Sequence, residues 1–207
     1  MRELLRDSLL LRLRRVSRLW HAHLGAHEPM EVIYRDLFVR DLAKLGIEDI
    51  FYPTGGAANY SLLYLIVRAY CELPVTSILE VGAGQSTRLL DALNRRFRKA
   101  TIVTLEHDVA WADLLAKSVE HRVIHAPLVC QDISRRQVMF HDLKVLSRAE
   151  RFDMILVDGP IGTRRYSRLG LLRIMELHMQ QDNFLAIMDD AERPGEMQTL
   201  VLCRDWL

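Results

Sequence analysis

A doubly wound, mostly parallel α/β sheet preceded by N-terminal helices is the fold class the sequence predicts. Short β-rich runs recur from residue 76 onward, at 76–81, 101–106, 122–125, 153–158 and 184–189. Helical stretches lie between most of them, at 86–97, 109–119, 134–149 and 165–180. The strands are mainly apolar, as strands covered by helices on both faces are. With 207 residues, 50% of them apolar, the chain is long enough for one well-filled core and short for two.

The elements follow in order. Leu5, Leu9, Leu13, Val16 and Trp20 fall at helical spacing with arginines between them. That pattern fits a docking helix with a solvated basic face; an interfacial membrane helix or a homodimer contact would share it. His21, His23 and His27 have no partner acids at metal-ligand spacing and read as surface. Residues 31–45 repeat an amphipathic pattern, with Gly46 as the helix stop. A turn at Pro53–Gly56 leads to an apolar helix from Asn59 to Tyr70, where Asn59, Tyr60 and Ser61 either cap the helix or cover a ligand. The expected division is a helical extension, 1–50, and a ligand-binding α/β domain, 51–207, short at its C-terminal end.

Bulk properties narrow the partners. Lys plus Arg is 28 and Asp plus Glu 27, so no global charge points to nucleic acid or a membrane surface. Cys71, Cys130 and Cys203 are scattered, which fits a reducing cytoplasm and neither a disulfide framework nor a CxxC metal site. No apolar run approaches the roughly 20 residues of a membrane span. Arg12 and Arg14 interrupt what would be a signal peptide's apolar core. The expected location is cytoplasmic.

The stretch "ILEVGAGQST" runs a buried strand into a glycine-rich turn and then a helix. In such sheets ligands sit beyond the carboxyl ends of the strands, and Gly82 and Gly84 let backbone approach one closely. A dinucleotide fingerprint would carry a third glycine where Thr87 stands. Glu80 would repel a pyrophosphate and attract a cation. Glu106 ends the second strand, where an acid accepts from both hydroxyls of a ribose. An ammonium near Glu80 and a ribose at Glu106 describe S-adenosylmethionine better than NAD.

On these residues the chain resembles the class I S-adenosylmethionine-dependent methyltransferases, of Rossmann-like fold. "LEVGAGQST", "VTLEHD", "FDMILVDGP" and "FLAIMDDAER" are similar to their successive motifs, over roughly residues 55–200. The resemblance implies that Gly82 and Gly84, with Glu80, Ser86 and Thr87, lie under the methionine part of the cofactor. It puts Glu106 and His107 at the ribose, and His125, Ala126 and Pro127 near the adenine. The usual acid directly after the third strand is missing, and Asp132 is the nearest substitute.

Asp158 ends the fourth strand at the mouth of the expected site. It is the candidate catalytic base and a further cofactor contact; alternatively, with Asp189 and Asp190 it would ligate Mg²⁺ or Ca²⁺. Capping of the next helix by Asp189 or Asp190 is the plainer alternative. The arrangement resembles catechol-type O-methyltransferases, except that the acid pair is Asp189-Asp190 and Ile161 replaces a lysine. Arg164, Arg165 and Tyr166, with Arg168, are candidate contacts for an anionic or sugar-acid acceptor, and a solvated helix start explains the arginines equally well. The expected activity is O-methylation of a small molecule or sugar. A nicotinamide-dependent oxidoreductase or epimerase on the same architecture, or a non-catalytic methyltransferase-like binding subunit, stand as alternatives. The family usually adds two strands beyond the fifth. Here "RPGEMQTLVLCRDWL" supplies one helix and at most one short strand, so the fifth strand is expected at the sheet edge. A truncated form, the N-terminal helices or a partner would each account for that.

Overall fold

The structure, a computed structural model, describes residues 30–53, 58–180 and 183–207. The expected basic helix over 1–20, the histidines at 21–27 and most of the turn after Pro53 lie outside the described residues. Two compact units comprise residues 1–67 and 68–207. In the first, α1 (Met30–Leu45) ends at Gly46, and the Phe38 ring meets Phe51 edge-on at 5.7 Å. α2 (Tyr60–Glu72) crosses the boundary between the units. Asn59 caps it: its Oδ1 accepts from Leu62 N at 2.8 Å and from Ser61 Oγ at 2.7 Å.

The second unit is the doubly wound α/β layer. In chain order it contains β1 (Ser77–Val81), α3 (Gln85–Phe97), β2 (Thr101–Glu106), α4 (Val109–Ala116), β3 (Arg122–His125), β4 (Leu128–Ile133), β5 (Arg136–His141), β6 (Met154–Val157), α5 (Gly170–His178), β7 (Leu185–Met188) and α6 (Pro194–Trp206). The main sheet has the order β3-β2-β1-β6-β7, all parallel. Strand residues such as Ile78, Leu79, Leu105, Ile155 and Val157 are buried, because helices cover both faces. β1 lies between β2 and β6, so the strand order reverses beside it and a crevice opens at its carboxyl end.

Two expected elements differ, and the last segment keeps to its expected helix. Residues 134–149 are not a helix. They complete a β4–β5 hairpin and then turn through a short 3-10 segment, Leu143–Val145. Ser134 and Arg135 take left-handed conformations, φ 49° and 61°, as a two-residue hairpin turn requires. Beyond the turn the pattern has period two: Val138 and Phe140 pack on the core while Gln137 and Met139 face outward. The helix expected over 165–180 begins only at Gly170, because Tyr166 and Arg168 hold left-handed φ of 49° and 56°. Gly170 starts it where a Cβ would fall inside the Phe140 ring. The chain's last segment is helix throughout, with no added strand, and among the described residues β7 pairs with β6 alone. No helix among those residues is long and apolar enough to cross a membrane.

Candidate functional site at the carboxyl end of the sheet

The glycine turn is a tight backbone crossing. Gly82 has φ 91°, and a Cβ there would lie 2.6 Å from Gly159 N. Only glycine lets β1 and β6 pass this closely. The contact carries the β6 tip, and Asp158 with it, up against the loop that opens α3. A Cβ at Gly84 would meet nothing within 4 Å, so that face of the turn looks into open space. Thr87 is buried, and its Oγ1 accepts from Gly84 N at 2.9 Å. Ser86 is buried; its hydroxyl lies close enough to Glu80 to lower the carboxyl's pKa but makes no hydrogen bond of normal geometry.

Glu80 lies fully buried beneath the turn. Its Oε2 accepts from Thr104 Oγ1 at 2.7 Å, while Oε1 has no partner. Burial above all pushes the carboxyl up to about 7, although Ser86 and Thr104 pull it down. A cation close to Oε1 would restore the charged form. Thr104 continues a polar chain. Its Oγ1 stands 3.0 Å from His121 Nε2, and His121 Nδ1 is 3.5 Å from Asp91 Oδ1. Asp91 is pinned in turn by Glu120 N and Arg95 Nε. Sequence inspection missed this support. Thr104 reads as an ordinary β-branched strand residue, and only the register Glu80↔Thr104 brings it beside Glu80.

Glu106 ends β2 as expected and fastens the turn. Its Oε2 accepts from Ala83 N at 3.0 Å and its Oε1 from Asp108 N at 2.8 Å. Each carboxylate oxygen keeps a lone pair for a further donor. His107 Nδ1 lies 2.8 Å from Glu106 Oε1. At the end of β3, His125 is exposed and its Nε2 meets His107 O at 3.1 Å; Ala126 is buried. His141, expected within a helix, instead ends β5 beside them. Its Nδ1 meets Ala126 O at 3.1 Å, its ring stands edge-on to His107 at 5.7 Å, and Nε2 has no partner. Burial drops its pKa to about 4, so it is neutral at pH 7. The alternation Val138-Met139-Phe140 was the signal that could have placed it. Asp132, the nearest acid after β3 in sequence, belongs to β4. It sits in the hairpin, where Gln137 Nε2 donates to it at 3.3 Å.

Asp158, Asp189 and Asp190 converge, each offering a carboxylate oxygen within 4.8 Å of the others. Arg168 is the residue that organises them. Expected near an acceptor, it is buried and turned inward. Its Nε donates to Pro160 O at 3.2 Å, Nη1 to Asp189 O at 2.9 Å, and Nη2 to Asp190 Oδ2 at 3.2 Å and Asp158 O at 3.3 Å. Nη2 also stands 3.6 Å from Asp158 Oδ1, and Arg193 pairs with Asp190 at 2.7 Å. Burial, then the Asp189 charge, raises the Asp158 pKa to about 8; burial and Asp189 raise Asp190 as well. Two guanidinium groups against three carboxylates leave one negative charge, and a proton on Asp158 closes that balance. A divalent ion would sit beside a fixed guanidinium, which opposes it. Neither aspartate side chain caps α6, whose N-cap residue, Arg193, has no side-chain cap bond; the capping expectation is corrected.

Arg164 and Arg165 are exposed, and Tyr166 is half-buried between Arg136, 4.2 Å over its ring, and Arg165 at 5.5 Å. Ile161, 87% exposed, stands on the loop that follows Asp158.

Neither a family model nor a curated protein matches the sequence. Solved structures with a similar course of chain include an SAH-bound methyltransferase of Podospora anserina, at 20% identity and TM-score 0.46 over 86% of this chain and 68% of that one. A Staphylococcus aureus protein named as a caffeoyl-CoA O-methyltransferase aligns at 15% identity and TM-score 0.44, covering 92% and 87%. A coclaurine N-methyltransferase aligns at 14% and 0.39; this chain covers 84% of itself and spans 61% of that structure's length. At these values the likenesses carry no functional weight, and function has to be read from the residues of the site.

Proposed function

We propose that the chain is an S-adenosylmethionine-dependent methyltransferase acting on an oxygen of a small molecule or sugar. The observation that carries it is the fully buried Glu80 with a partnerless oxygen, under a glycine turn whose neighbouring acid, Glu106, still has lone pairs to offer. These residues fit the cofactor's chemistry. Glu80 suits its positive methionine end, Glu106 the ribose hydroxyls, and Ala126 with the neutral His141 an uncharged base. When bound, the cofactor supplies a methyl group already activated on a sulfonium.

The chain's own residues then have two tasks. The Gly82–Gly159 crossing holds Asp158 beside the turn, and the ionised fraction of Asp158, which grows as pH rises toward 8, takes the acceptor's proton. A carboxyl held near neutrality by burial is a far stronger base than an exposed aspartate. Ile161, Arg164, Arg165 and Tyr166 border the approach and favour an acceptor with an apolar part and an anionic group.

Calorimetry with SAH tests the cofactor. Glu106→Ala is expected to weaken SAH by about 1–3 kcal/mol, the scale for removing a charged acceptor. Unchanged affinity would remove Glu106 from the ligand, and NAD binding in place of SAH would favour the oxidoreductase alternative. The convergence of three carboxylates supports a second mechanism, in which Asp158, Asp189 and Asp190 hold Mg²⁺ or Ca²⁺. Activity lost to a chelator and restored by either ion would establish it; the guanidinium of Arg168 leads us to expect indifference.

A further inference from the structure

A cavity of about 870 Å³ lies outside the candidate methyl-transfer site, reaching from Val129 and Asp142 to Arg151 and His178. It opens among β4, the 142–151 segment and the end of α5. Arg151 borders it just before β6 begins, and His178, the last residue of α5, is tied there by Phe152 N donating to His178 O at 2.8 Å. That side of the cavity lies at the amino-terminal end of β6, the opposite side reaches Asp142, next to His141, and none of the residues of the candidate methyl-transfer site lines it.

We propose that this cavity is a second ligand site, for a phosphomonoester with an apolar or aromatic body. Its size lies within the range of small-molecule sites. Val129, Leu143, Leu146 and Leu177 supply an apolar surface. Among the charged side chains of the lining, four are positive and two negative, an excess that matches a phosphomonoester dianion.

The two acids are already committed. Glu176 pairs with Arg173 at 2.8 Å, and Asp142 Oδ1 accepts from Lys144 N at 3.1 Å. Arg173 is anchored further by donating to Asp132 O at 3.3 Å. Arg151 is held at the wall through Nη1, which donates to Arg148 O at 2.7 Å, leaving its other donors available. The Lys144 ammonium and the Arg148 guanidinium make no hydrogen bond or ion pair with the described residues. Cations gathered around one opening repel each other, and a bound dianion relieves that repulsion while its apolar body covers the leucines. Inorganic phosphate alone would gain the first contribution and forgo the second.

Phenyl phosphate, titrated into the full chain by calorimetry, is the probe, with inorganic phosphate and phenol as comparisons. Saturable binding of phenyl phosphate, tighter than that of either comparison, is expected. Lys144 and Arg148 are exposed, so K144E/R148E should fold as the parent does; circular dichroism checks this. The double variant should bind phenyl phosphate at least about tenfold more weakly. A saturating amount of SAH should leave phenyl phosphate binding unchanged. The proposal is overturned if phenyl phosphate does not saturate, if it binds no better than inorganic phosphate, if K144E/R148E binds it equally well, or if SAH displaces it. The site is independent of the methyl-transfer proposal: failure of SAH to bind at all would sink that proposal and leave this one standing.

Discussion

Asp158→Asn is expected to lower methyl transfer by about 10²–10⁴-fold, while SAH still binds within several-fold of the parent. The substitution keeps the side chain's shape and removes the oxygen proposed to take the proton. A second consequence has the opposite sign. In the folded chain the Asp158 pKa is raised from 3.8 to about 8. Between these values the folded state holds a proton that the unfolded chain has released. The stability from this group is therefore fully present below pH 4 and is lost as pH rises toward 8. Asparagine cannot titrate, so the variant's Tm should gain on the parent's across that window and be the higher of the two at pH 8. Thermal melts at pH 4, 6 and 8 measure it. A variant that is less stable than the parent at pH 8 would mean that the ionised carboxylate facing Arg168 outweighs the desolvation. Near-parental turnover with a true acceptor would place the base elsewhere.

Gly82→Ala is expected to cost about 2–5 kcal/mol, combining backbone strain at φ 91° with the collision against Gly159. In a domain of this size that lowers Tm by about 5–15 °C. Separation of β1 from the Asp158–Gly159 tip should also abolish turnover. Gly84→Ala is the matched control, because its Cβ meets no protein atom within 4 Å. It should melt like the parent and weaken SAH only, through contact with the ligand itself. A Tm for Gly82→Ala within a degree of the parent would show that the crossing adapts more easily than its geometry implies.

Much of the fold was legible because its signals are local. A buried strand, a glycine turn and an amphipathic helix each write their pattern over five to fifteen consecutive residues. The strands 76–81, 101–106, 122–125, 153–158 and 184–189 accordingly stand within a few residues of β1, β2, β3, β6 and β7. Residues 134–149 were misjudged because Phe140 and Leu143, three apart, fit helical spacing while Val138 and Phe140, two apart, fit strand alternation. The left-handed pair Ser134-Arg135, with neither glycine nor asparagine, gave no warning of a turn. The start of α5 was misjudged for a related reason. The backbone of 163–169 is shaped by where the Arg168 guanidinium must reach, and that depends on carbonyls 8 to 21 residues away.

Sequence by itself determined the layer, the glycine turn at the end of β1, and the acids Glu80, Glu106, Asp158, Asp189 and Asp190 at strand ends. These follow from chain position, since a residue at the end of a parallel strand points at the same crevice whatever surrounds it. Tertiary structure alone decided their chemical states. Glu80 is near neutrality because it is wholly buried with one oxygen unanswered. Asp158 shares its surroundings with two aspartates and an arginine that the sequence had offered to an acceptor. Desolvation and Coulomb energy depend on what the folded chain brings within a few ångströms, and strand register and an inward-turned Arg168 set those distances here.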